Sequence, residues 1–265
     1  MPKRRNVRKV QADYEEMEPT RSTNHRGDRG SKRQSQDSNV LSFNTYVQHR
    51  KSVSLIPRSI KQEEYVDLLL DLSKTVVFAT GPAGTGKTML AVLAAIKAYK
   101  EGTIEKIIVT RPAVEVEDEK IGFLPGTLND KMAPWTRPIF DVMKEYYSVK
   151  ELAYMLEEEI IEISPLAFMR GRSFKKAFII ADEMQNATAS QLKMLLTRLG
   201  DSCRLVVTGD VQQTDRQGKN NGLTDFFARM ARFENLKYVS RLDFGNIDIQ
   251  RHPMVKEILE IYGDE

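Results

Sequence analysis

One octapeptide limits this chain more than any other feature. Gly81-Pro82-Ala83-Gly84-Thr85-Gly86-Lys87-Thr88 fits the pattern G-x-x-x-x-G-K-[ST]. The β-branched run Thr75–Thr80 precedes it and a helical pattern, Lys87–Lys100, follows it. Strand, glycine-rich turn and helix in that order let successive backbone N–H groups converge on one phosphate at a helix N-terminus. Lys87 is placed to reach the β- and γ-phosphates, and the Thr88 hydroxyl to take a Mg²⁺ position. The expected ligand is therefore ATP with Mg²⁺, bound by Gly81, Pro82, Ala83, Gly84, Thr85, Gly86, Lys87 and Thr88.

The rest of the chain suits such a site. Short β-branched runs at Thr75–Thr80, Lys106–Thr110, Ala177–Ala181 and Leu205–Thr208 alternate with helical segments at Lys87–Lys100, Pro138–Tyr147, Val149–Glu158 and Ser190–Leu199. That alternation predicts an α/β fold with a parallel sheet and crossover helices. A strand near Leu236–Ser240 and a helix over Pro253–Tyr262 are expected to close the domain. The segment Glu115–Pro134 is long for a loop in a compact fold, which points to a functional excursion.

A P-loop also needs an acidic residue at the end of a neighbouring strand. Phe178-Ile179-Ile180-Ala181-Asp182-Glu183 supplies a hydrophobic run ending in two carboxylates. Asp182 is expected to hold Mg²⁺ through water, and Glu183 to orient and deprotonate an attacking water. By themselves the two acids would equally cap a helix. The next strand ends in Thr208-Gly209-Asp210-Val211-Gln212-Gln213. Its tip is expected beside the P-loop, with Gln213 sensing the γ-phosphate.

Composition bounds the remaining classes. The 265 residues carry 41% hydrophobic and 29% charged side chains, and no stretch approaches the roughly 20 apolar residues that span a bilayer. Met1–Val10 is basic and polar rather than a secretory signal, and the single cysteine, Cys203, reads as core. A cytoplasmic protein is expected. Net charge is +3, but residues 1–40 hold ten Lys and Arg against six Asp and Glu. Poor in aliphatic residues, this tail is expected to be disordered, with the folded domain over 41–265. It reads either as a nucleic-acid-binding arm or as a solubilising leader.

These residues resemble the PhoH family, P-loop ATPases related to superfamily-one helicases. The likeness runs from about Gln62 to His252. Besides the P-loop it includes Val109-Thr110-Arg111-Pro112-Ala113, Gly122-Phe123-Leu124-Pro125-Gly126 and Lys131-Met132-Ala133-Pro134. It continues through Arg170-Gly171-Arg172, Asp182-Glu183-Met184-Gln185-Asn186 and Arg251-His252-Pro253. The resemblance implies a RecA-like, doubly wound parallel sheet, ATPase activity and a link to RNA. It also implies that Gln62 reads the adenine, with Tyr65 stacking nearby. Ala181 and Met184 stand where relatives more often show Leu and Ala. The chain looks like a short, core-only form, also seen in bacteriophage genomes.

Helicase relatives usually have two such domains, the second giving an arginine to the γ-phosphate. About 50 residues follow Asp215, too few for a second domain. Arg251 is therefore the candidate finger, acting within the chain or across a homo-oligomer, by analogy a hexameric ring. Its alternative is an ion pair with an acidic neighbour such as Asp248. Arg111, Lys131, Arg170 and Arg172 are candidates for a nucleic-acid track. Trp135 would stack a base or serve as core or interface, and the Arg-Gly-Arg group could bind a strand, a phosphate or nothing.

Three functional classes follow from these expectations. The first is an ATPase that moves along or remodels RNA or single-stranded nucleic acid. The second is an ATP-gated nucleic-acid-binding or chaperone module without unwinding. The third is a small-molecule kinase, disfavoured by the Asp-Glu pair and by the lack of a clear lid.

Overall fold

The computed structural model describes residues 52–112, 128–212, 221–250, Met254 and Ile261, with backbone alone for 128–134. A six-stranded, wholly parallel sheet organises them. Its strands are β1 (Val76–Thr80), β2 (Lys106–Arg111), β3 (Ile161–Pro165), β4 (Ala177–Ala181), β5 (Arg204–Gly209) and β6 (Val239–Asp243). They lie side by side in the order β3-β2-β4-β5-β1-β6. The helices are α1 (Ile60–Leu70), α2 (Lys87–Lys100), α3 (Leu128–Lys144), α4 (Val149–Glu157), α5 (Ala189–Leu196) and α6 (Gly222–Met230).

Alternate residues of each central strand enter opposite cores, as the pleat dictates. Val77, Val109, Ile180 and Val206 pack with Leu69 of α1, Leu90 of α2, Met143 of α3 and Leu152 of α4. Phe78, Ile108, Ile179 and Val207 pack with Leu192 of α5 and Leu223 and Phe227 of α6. The sheet is thus doubly wound, covered by helices on both faces, as expected for a parallel sheet. Cys203 belongs to the second core. Among the described residues no helix is long and apolar enough to cross a membrane.

Several element boundaries differ from expectation, each for a tertiary reason. Strand β3 was not foreseen. It is an edge strand whose apolar residues alternate with Glu162 and Ser164 and which ends in Pro165, and it exists through its pairing with β2. Strand β6 lies three residues later than expected because Val76 aligns with Val239 and Thr80 with Asp243. Helix α3 starts ten residues before the expected Pro138 and runs through both Pro134 and Pro138; Ile139 and Met143 bury in the first core and hold it. It also takes up the end of the Glu115–Pro134 excursion. Helix α5 starts on a Thr188–Gln191 capping box. It stops before Arg198, whose carbonyl accepts from Phe174 N, while Gly200 N donates to Phe174 O. Helices α1 and α6 were not foreseen; Ser59 and Asn221 cap their N-termini. The expected tail over residues 1–40, the domain start at 41 and most of the terminal helix fall outside the described residues.

Phe78 centres the second core, stacked on Phe226 at 4.9 Å and edge-on to Phe227 at 5.4 Å. Phe78→Ala is expected to lower unfolding free energy by about 3–5 kcal/mol in chemical denaturation, since α6 cannot collapse into the gap.

Candidate nucleotide-binding site

Strand β1 delivers the P-loop to the carboxyl edge of the sheet. Gly81 N donates to Gly209 O at 3.1 Å, tying the loop's first residue to the tip of β5. Gly81 has φ +133°, and a Cβ there would collide with the Phe244 carbonyl, so the loop entry tolerates no side chain. Gly86 sits in the left-handed region at φ +82° as the N-cap of α2, with no side-chain cap. The first N–H groups of α2 are thereby left for an anion. A Cβ on Gly86 would stand 2.9 Å from Gln62 Nε2.

Lys87 arches back over the loop, its ammonium donating to the Gly81 and Pro82 carbonyls at 2.7 Å each and to Thr85 Oγ1 at 3.2 Å. Thr85 Oγ1 in turn donates to the Pro82 carbonyl. The ammonium is thus held where an incoming phosphate could exchange with carbonyl oxygens. Thr88 Oγ1 donates to Asp182 Oδ1 at 2.9 Å, joining residues 94 apart in sequence. A hydroxyl and a carboxylate oxygen at the mouth of a phosphate-binding loop suit a hydrated Mg²⁺, and these two residues would hold it.

Asp182 does not come from the strand next to β1. Strand β5 lies between β4 and β1, and this corrects the expectation of an adjacent acidic strand. The interposed strand provides a further partner: buried Thr208 donates its hydroxyl to the same Asp182 Oδ1. Two threonines from different elements thus aim one carboxylate. Glu183 follows at φ +53°, rare for a residue with a side chain. Its Oε2 accepts from Gln185 Nε2 at 2.6 Å, and Gln185 Oε1 accepts from Asp210 N at 3.1 Å. Gln185 is buried and so links Glu183 to the tip of β5.

A cavity of about 330 Å³ opens over the loop, lined by Gly84, Lys87, Thr88, Asp182, Glu183 and Asp210 among others. The tip of β5 lies beside the P-loop, as expected, and Gln212 N donates to Asp210 Oδ1 there. Gln213 and Arg251 lie outside the described residues, as does the side chain of Lys131. Asp248, the alternative partner considered for Arg251, accepts from Ser59 Oγ at 2.9 Å and Gly245 N at 3.0 Å.

A family model described as PhoH-like protein matches residues 54–263. The chain belongs to the PhoH family. It is 42% identical over 220 residues to a PhoH-like protein of Bacillus subtilis, covering 83% of this chain and 67% of that one. To Protein PhoH of Escherichia coli K12 it is 39% identical over 217 residues, covering 81% and 60%. The chain thus spans about two thirds of the length of these relatives. Among solved structures it resembles the SWI2/SNF2 ATPase core of Sulfolobus solfataricus in complex with dsDNA, at 15% identity and a TM-score of 0.41, covering 73% of this chain and 46% of that one. With the P-loop, the acidic pair and the doubly wound sheet in one place, this PhoH-family chain is a P-loop NTPase in fold.

Not every residue singled out in the sequence meets at the cavity. Gln62 is buried, and its amide is spent on protein: Nε2 donates to Thr85 O at 2.9 Å and Oε1 accepts from Arg58 N at 2.7 Å. In this arrangement it braces the P-loop, and reading adenine would require those bonds to be exchanged. Tyr65 is fully buried, edge-on to Phe244, with its hydroxyl on the Lys87 carbonyl at 3.2 Å. It supports the start of α2 and has no open face for a base, and burial pushes its hydroxyl pKa well above the ordinary value. Trp135 packs with Arg111 at the cavity wall. Arg170 is exposed beside Gly171.

Arg172 has a partner of its own. It forms a two-pronged pair with Glu162 of β3, one prong at 2.7 Å, and lies over the Phe174 ring at 5.1 Å. The guanidinium considered for a strand, a phosphate or nothing is thus paired within the chain. The sequence reading attached no role to Thr208 or Gln185. Gln185 stood in a family motif, but its use depends on where β5 lies.

The Arg172 hydrogen bond holds the Glu162 carboxyl below its usual 4.5. The pair's stabilisation is therefore present above the ordinary glutamate pKa and lost as pH falls through the lowered folded value. Arg172→Ala is expected to cost about 1 kcal/mol or less at neutral pH, since the arginine is partly exposed. In urea unfolding, that difference from the wild type should shrink on acidification below the glutamate range.

Proposed function

We propose that this chain binds and hydrolyses ATP with Mg²⁺, and that turnover is coupled to binding and remodelling of RNA or single-stranded nucleic acid. The observation that supports it most is the hydrogen bond from Thr88 to Asp182 inside a cavity shared with Lys87 and Glu183. In this reading the P-loop N–H groups and Lys87 hold the β- and γ-phosphates, and Thr88 and Asp182 hold the metal. Mg²⁺ bound there would neutralise charge developing on the transferred phosphoryl group. Glu183 accepts the proton of the attacking water and aims it in line, its carboxylate held by Gln185. Gln213, beyond the tip of β5, senses the γ-phosphate. Arg251 acts as a finger across a homo-oligomer, by analogy a hexamer in the cytoplasm.

For nucleic acid, exposed Arg170 remains a candidate, as does Lys131 from its place in the sequence, with Arg111 at the carboxyl edge of the sheet where doubly wound folds place ligands. The alternative is an ATP-gated binding or chaperone module. The two readings part on whether a polymer raises turnover.

Lys87→Ala should weaken ATP binding about 10-fold or more in equilibrium titration, the scale of one charge-assisted contact. Glu183→Gln should keep ATP binding while turnover falls about 10²–10⁴-fold; retained turnover would remove Glu183 as the base. ATP hydrolysis on a panel of RNA and DNA polymers should rise with at least one single-stranded polymer. A flat response with intact ATP binding supports the gated module. Mixing Arg251→Ala with Lys87→Ala protein should restore activity if the finger acts between subunits, and no restoration argues against it.

A further inference from the structure

One cation in the nucleotide cavity has no place in the hydrolysis set out above. Arg111 is the last residue of β2, one strand spacing of about 4.8 Å from β4, with Thr110 opposite Ala181 in register. Asp182 N donates to Thr110 O, so the two strand tips are joined just where the acidic pair begins. Along β2, Arg111 continues the alternation of Ile107 and Val109, whose side chains enter the core beneath α2 and α3. At the strand tip that face opens into the cavity, which Arg111 lines together with Lys87, Thr88 and Glu183.

The guanidinium lies over the Trp135 ring at 5.7 Å. Among the described residues the guanidinium makes no hydrogen bond and no ion pair besides this ring contact. The contrast with Arg172, Arg229 and Arg241 is plain, since each of those is paired with a carboxylate. Stacking on an aromatic face restrains the guanidinium plane and leaves its edge N–H groups free to donate. A half-buried arginine with its edge unspent, in a cavity built for phosphates, calls for an anion. Lys87 and the loop N–H groups lie on the side of β1, while Arg111 approaches from beyond β4. The phosphate it would meet is the outermost one, next to the Thr88–Asp182 pair.

We propose that Arg111, oriented by Trp135, contacts the terminal phosphate of a nucleoside triphosphate bound to the same chain, so that the site distinguishes triphosphate from diphosphate. This rests on reading the cavity as the ATP site. It assigns Arg111 to the nucleotide rather than to a nucleic-acid track. It also places a second cation from the chain's own sheet at the γ-phosphate, whatever Arg251 does. A nucleic-acid backbone carries the same anionic chemistry, so the test must separate the two sources.

Trp135 is the only tryptophan in the chain, so its emission reports on this contact directly. Full-length protein with Mg²⁺ would be titrated with a non-hydrolysable ATP analogue and with ADP, as wild type, Arg111→Ala and Arg111→Lys. Thermal unfolding would confirm that each variant folds. Arg111→Ala should lose about 10- to 100-fold in affinity for the analogue, the scale of one charge-assisted hydrogen bond. Its affinity for ADP should change by less than about 3-fold, and Arg111→Lys should fall between. Wild-type emission should change with the analogue but not with ADP, and Arg111→Ala should abolish that difference.

Equal losses for both nucleotides, or none, would overturn the assignment. So would weaker binding of single-stranded RNA, measured without nucleotide, at an unchanged triphosphate preference; Arg111 would then belong to the nucleic-acid track. A wild-type protein that binds neither nucleotide would instead bring down the ATP-site reading itself, and this contact with it.

Discussion

The site hangs on the Asp182 carboxylate and the two hydroxyls that grip it. Thr88 opens α2 and Thr208 stands on β5, and both donate to Asp182 Oδ1. An aspartate at a strand tip would otherwise swing into solvent. Held from two sides, it locks the head of the P-loop helix to β4 across the intervening strand. Deletion of either hydroxyl would leave a half-buried carboxylate with one donor fewer to fix its direction.

Strand β5 carries a second load at its tip. Gly209 accepts from Gly81 N, and Asp210 N donates to Gln185, which donates to Glu183. The loop entry, the acidic pair and the segment leading to Gln213 therefore share one strand end. A Cβ on Gly209 would come within 2.7 Å of Gln185 Oε1, so backbone and amide pack with no slack. Any displacement of that tip is transmitted to Glu183 through a single side chain. The parallel sheet supplies the stiffness: β5 is flanked by β1 and β4, and Leu205, Val206 and Val207 are fully buried.

Much of the fold was legible beforehand because the central strands are continuous apolar runs. β1, β2, β4 and β5 were read within a residue or two of their observed limits, as was α2. The edges were harder. β3 has polar residues at alternate positions and needs β2 to exist, and β6 takes its register from β1. Helix α3 crosses two prolines that local rules treat as stops, since its buried face outweighs the lost backbone hydrogen bonds. Gln62 and Tyr65 were placed near the nucleotide by family likeness, whereas the structure turns the amide onto Thr85 and buries the ring against Phe244.

By itself the sequence determined that a phosphate loop follows a strand and opens a helix, and that two carboxylates end another apolar run. Both are contiguous, and their chemistry is carried by residues close enough to be read as words. Only the tertiary structure decided which strands are neighbours, and with that the partners of Asp182 and Glu183 and the meeting of Arg111 with Trp135. Those contacts join distant segments through strand order and register, which depend on the burial of two whole faces rather than on any local pattern.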